Sequence, residues 1–170
     1  MKDERIQKAK FFYKMSIHSY DSILTFNSAI DSKIYNVLGL TVGLTPILLG
    51  LLYFLMRESG ALMFSLNIAI SLSFGTLMFM LAIITGLQAY YPTDFEFLSL
   101  HEFVNRHHDE ELPPMVETAA ATVGTTTEAN RDVVNRKASA YRWMIQFIVL
   151  GGIGFSVGFM FLLASFISAL

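Results

Sequence analysis

The chain contains no cysteine, which excludes disulfides and thiolate metal sites. It has no glycine-rich phosphate loop and no Ser-His-Asp order beside a nucleophile-elbow glycine pattern, so the common catalytic motifs are absent. Charge is missing altogether from three stretches: residues 35–56, 61–89 and 144–170 hold no Asp, Glu, Lys, Arg or His. A bilayer core about 30 Å thick needs roughly 20 apolar residues at helical rise, and each stretch is long enough to cross it. An intramembrane protease or a proton-coupled transporter would need ionisable groups in such spans, which argues against both. The net charge of −2 offers nothing to a nucleic-acid partner.

Apolar residues make up 54% of the chain and aromatics 14%, and a soluble domain of 170 residues would have to bury three core helices of unusual length. The fold class expected is an all-α integral membrane protein, with three transmembrane helices and long cytoplasmic helical extensions. The first apolar stretch follows a polar, amphipathic segment without a small-residue cleavage site, so it reads as a retained span, not a signal peptide. Of the twelve Lys and Arg, only Arg57 falls in the short turn 57–60. Because basic residues collect on the cytoplasmic side, the N-terminus and the segment 90–143 are expected inside a cytoplasmic membrane, and the turn and C-terminus outside. Tyr35, Tyr90, Tyr91, Tyr141 and Trp143 fall at the inner span ends, where amphipathic rings sit at headgroup level.

The two cytoplasmic pieces are too short and too polar to form a separate enzyme domain. Residues 1–34 place Ile6, Tyr13, Ile17, Tyr20, Leu24 and Ile30 on one helical face. After Pro92, Asp94 can cap a short helix near 95–106, and Leu112-Pro113-Pro114 breaks the chain. A long helix from Met115 to Arg142 then leads into the third span. Val116, Ala120, Val123, Thr127, Asn130, Val134 and Tyr141 give it a narrow heptad seam. Gly124 and the run Thr125-Thr126-Thr127 lower helix propensity and predict a hinge there.

Within the spans, small residues permit close helix approach. Gly39 with Gly43 and Gly154 with Gly158 are helix-packing pairs. Asn67, Ser71, Gly75, Ala82 and Gly86 line one face of the second span, as a packing seam or the wall of a polar pathway. Pro46 frees the carbonyl of Val42 and predicts a kink that the Thr41 or Thr45 hydroxyl could help satisfy. His101, His107 and His108 with Glu102, Asp109, Glu110 and Glu111 have ligand chemistry, but the adjacent histidines diverge on a helix and the usual paired spacing is missing. They read as a solvated segment, and no metal or other cofactor is expected.

Ala29-Ile30-Asp31-Ser32-Lys33 before the first span, the tight hairpin to the second, a Pro-containing exit, and Asn135-Arg136-Lys137-Ala138 before a glycine-rich third span together resemble small prokaryotic membrane effectors. These are the Pycsar-type transmembrane effectors and the related SLATT proteins, associated with nucleotide-signalled antiviral defence. The resemblance implies a cytoplasmic-membrane oligomer that perturbs the membrane or conducts ions when triggered. No cyclic-nucleotide module is evident, so a trigger would act on the helical extensions or through a protein partner. Independently, three helices enclose no water path, so self-assembly in the bilayer is expected. Such an assembly would be an ion-conducting pore, with Asp94, Glu96 and Glu102 as an acidic, cation-attracting cytoplasmic mouth. The alternative is a non-conducting accessory or scaffold subunit of a membrane complex.

Overall fold

The computed structural model describes residues 2–59, 66–91, 95–96 and 112–168. Three helices account for nearly all of them: α1 (Lys2–Ser59), α2 (Leu66–Tyr90) and α3 (Leu112–Ile167). Each contains a window apolar enough to cross a membrane, with mean hydropathies of 1.7, 2.2 and 2.3. Only 17%, 28% and 22% of the residues in those windows are buried inside the chain. Most of the apolar surface therefore faces outward, the arrangement lipid solvates and water does not.

The helices share a 3.5-residue burial period. In α2 the buried residues are Ile68, Leu72, Gly75, Phe79, Ala82, Gly86 and Ala89, alternating steps of four and three. One heptad line in α3 runs Val123, Asn130, Lys137, Met144, Gly151 and Gly158, all buried. The corresponding line in α1 runs Ile6, Tyr13, Tyr20, Asn27, Ile34, Thr41 and Leu48, each buried or half-buried. This is the repeat of helices packed knobs-into-holes.

Several local expectations change. Leu112 already belongs to α3, so Pro113 and Pro114 occupy its first turn, where a missing backbone N–H leaves nothing unpaired. Gly124 makes no break, because the helix is continuous there. The hydroxyls of Thr122, Thr125 and Thr127 donate to the carbonyls of Thr118, Thr122 and Val123 at 2.9, 2.9 and 2.6 Å. On the α3 seam Thr126 is buried and Thr127 only half-buried, one residue off the expected register. α1 stays helical across Pro46. The Thr41 and Thr45 hydroxyls donate to the carbonyls of Val37 and Thr41, both at 2.7 Å, and not to Val42. The helix expected over 95–106 lies largely outside the described residues, and Phe95 and Glu96 are not helical.

The chain divides into two compact units, Met1–Asp31 with Pro92–Lys137, and Ser32–Tyr91 with Ala138–Leu170. The first has a mixed set of buried residues, the apolar Tyr20, Ile30, Val123, Val133 and Val134 and the polar Thr126, Asn130 and Lys137. The second is centred on Ile68, Leu72, Phe79 and Phe155, with Leu48, Ile148 and Leu162 packed against them. Phe79 and Phe155 stack with ring centroids 5.4 Å apart, within the range where aromatic pairs add to area burial.

Candidate functional site

In the apolar unit the glycines fall into two groups. A Cβ added at Gly75 would lie 2.8 Å from Phe155 Cδ2 and 3.0 Å from the carbonyl oxygen of Gly151, and one at Gly154 would lie 3.0 Å from the backbone of Gly75. One at Gly158 would meet Leu72 at 2.7 Å, and one at Gly86 would meet Met144 Sδ at 2.6 Å and Leu38 Cγ at 2.9 Å. Gly75, Ala82 and Gly86 thus lie on the inner face of α2, and backbone meets backbone where α2 crosses α3. Gly39, Gly43 and Gly50, by contrast, have nothing within 4 Å of an added Cβ, as is also true of Gly152 on α3, and Asn36 beside the α1 glycines is exposed. They form an open, uncharged line on α1, opposite buried Ile34, Leu38 and Thr41.

The stripe expected on α2 is therefore split by one residue of register. Ile68 and Leu72 take its upper inward positions, Asn67 is exposed and Ser71 half-buried. Pro46 is exposed and Thr45 half-buried. The rings of Tyr35 and Tyr90 meet at 6.2 Å, bringing two of the expected interfacial aromatics together. An open cleft of about 280 Å³ is lined by Leu48, Leu51, Leu72, Phe155, Phe159 and Leu162 beside Ser156 and Gly158. The Ser156 hydroxyl donates to the Gly152 carbonyl at 2.8 Å, so the cleft presents hydrocarbon and nothing to orient a polar ligand.

In the other unit two polar clusters occupy seam positions. Lys137, 7% exposed, donates from Nζ to both carboxylate oxygens of Asp31 at 2.8 and 3.0 Å and to Asn27 Oδ1 at 3.1 Å. Asn27 Nδ2 in turn donates to Asp31 Oδ2 at 3.3 Å. The ammonium's three protons are all used, the condition under which a buried cation is tolerated. Asn130, fully buried, accepts from the backbone N–H of Glu96 at 2.9 Å and donates to its carbonyl at 2.8 Å. It clamps the connection between α2 and α3 while the Glu96 side chain stays exposed.

Asp94, Glu102 and the three histidines of the connection lie outside the described residues. Among the described residues no three metal-ligating side chains come together. Neither polar cluster was anticipated as a unit. The signal was a lysine on the heptad line of α3 and an aspartate near that of α1, two charges on inward faces that must satisfy each other. No protein-family model matches the chain, and neither a curated protein nor a solved structure shows significant similarity to it.

Proposed function

We propose that the protein is a multi-pass protein of the cytoplasmic membrane, with its N-terminus in the cytoplasm, that assembles with itself into an ion-conducting pore. The observation that carries this reading is the open line Asn36, Gly39, Gly43 and Gly50 on α1. Gly75, Ala82 and Gly86 of α2 are taken up in packing within the chain, whereas α1 offers three open glycines along one line and α3 only Gly152, so the uncharged wall for a water path is assigned to α1. Exposed backbone along a glycine line can supply the dipoles that a charge-free pore must use. The exposed Glu96, whose backbone Asn130 holds in place, favours cations at the inner end. As the resemblance to triggered effectors implies, opening would respond to a signal acting on the helical extensions, in the manner of a nucleotide-signalled or partner-gated device.

The test is ion flux from liposomes containing the purified protein, measured beside its oligomeric mass. A stable oligomer that passes ions is expected, with flux lost in Gly43→Leu while the mass holds. Undiminished flux in that variant would remove α1 from the pore wall. A second reading is favoured by the same open line: as a groove for a partner's helix it suits a non-conducting accessory subunit. An oligomer that stays tight under varied ions, voltage and candidate nucleotides would select that reading.

A further inference from the structure

The apolar unit, Ser32–Tyr91 with Ala138–Leu170, carries four charged residues in all: Arg57 and Glu58 beside the outer turn, and Lys33 and Arg142 at the opposite, inner end. The inner end therefore holds two cations and no acid of its own. Both are exposed. Along the two helices the nearest acids do not answer them. Asp31 is engaged by Lys137 and lies about 160° round α1 from Lys33 at 100° per residue. Asp132 is ten residues before Arg142 on α3, about 15 Å away at helical rise. Glu96 is tied by its backbone to Asn130, further still along α3.

The two cations share a side of the bundle and nearly a level. The ring of Tyr35 meets Tyr90 of α2, and Lys33 lies about 160° round α1 from Tyr35. Met144 borders Gly86 of α2, and Arg142 lies about 160° round α3 from Met144. Lys33 and Arg142 thus both face away from α2, on the same side of the α1–α3 pair. Leu38 and Met144 both border Gly86, which sets equal heights on the two helices. Counted from there, Lys33 and Arg142 differ by three residues, about 4.5 Å. One heptad deeper on the same faces stand Leu40 and Val149, each more than half exposed, and half-buried Val37 and Ile145 floor the groove between the helices. From its inner end outward the groove is first cationic and then purely apolar.

We propose that this groove binds a phospholipid of net negative headgroup charge, its phosphate between Lys33 and Arg142 and an acyl chain along Val37, Leu40, Ile145 and Val149. Two unopposed cations ahead of an apolar lane match such a molecule in both charge and order. A zwitterionic lipid brings its own cation to the same place and forfeits the attraction. The inference rests on the membrane-spanning part of the reading above and is independent of conduction.

Trp143→Phe removes the chain's single tryptophan, so that Leu40→Trp can report on the lane alone. The full-length protein is reconstituted in vesicles of phosphatidylcholine and phosphatidylglycerol in equal parts, with mid-chain bromines on one lipid or the other. Brominated phosphatidylglycerol should quench the reporter with an affinity about threefold or more above that of brominated phosphatidylcholine. Lys33→Gln with Arg142→Gln should bring the ratio to one while quenching by brominated phosphatidylcholine persists. Ile84→Trp, at similar depth on the exposed side of α2, should show a ratio near one throughout. A ratio of one at Leu40→Trp, a raised ratio that survives loss of both cations, or the same excess at Ile84→Trp overturns the site and leaves the membrane reading standing. Absence of quenching by either lipid at both positions overturns both.

Discussion

Lys137 and Asp31 show how much one pair of side chains decides. Asp31 keeps a side-chain exposure of 31% against 8% for Lys137, so the lysine bears the desolvation and depends on its partners. Asp31→Ala leaves a buried ammonium with Asn27 Oδ1 as its one remaining partner among the bonds described, which places the cost at the lower end of the about 3–5 kcal/mol typical of a broken buried pair. Lys137→Met beside Asp31→Ala removes the stranded charge, and a thioether chain fills the same space. Thermal unfolding of the full-length protein in detergent should show the single Asp31→Ala variant well below wild type and the double variant restored most of the way. Equal losses in both would mean that the pair stabilises through its shape and not its charge.

At the level of the helices, the α2–α3 crossing depends on side chains that are not there. Gly75→Leu places a branched side chain where a Cβ alone reaches 2.8 Å from Phe155 and 3.0 Å from the backbone of Gly151. Overpacking of this kind costs about 1–3 kcal/mol or more, and a backbone neighbour cannot rotate away. The variant should lose thermal stability in detergent, whereas Gly39→Leu, with open space, should not; the same melting point for both would refute the crossing. Helix existence and the apolar stretches were legible in the sequence, because uncharged runs and a 3.5-residue period are strong signals. Register was less so. Asn67 and Ile68 are neighbours, and which of them faces inward depends on where α3 lies, something spacing alone does not encode. The Pro113-Pro114 pair misleads for a similar reason, since two prolines suit a first helical turn as well as a break. Of the candidate site, the small residues could be named from sequence. The division into glycines that pack and glycines that remain open could not, because it depends on the partner helix.

For the whole molecule, the distribution of basic residues carries the proposed orientation, with Arg57 alone at the outer turn. Single cysteines at Ser19 and Ser168, both exposed, should differ in sealed cells: a membrane-impermeant thiol reagent should label Ser168→Cys without lysis and Ser19→Cys only after it. The reverse pattern would invert the topology. The backbone contact between Gly75 and Gly154 has one more consequence. Glycine has no rotamers, so forming this contact orders no side chain at its centre and sacrifices almost none of the conformational entropy that burying a leucine pair would. Opening it releases equally little. Lateral separation of α2 from α3 is thus governed by dispersion across a narrow gap, which falls off within a fraction of an ångström, and in the membrane protein we propose the bilayer's lateral pressure would act directly on that gap.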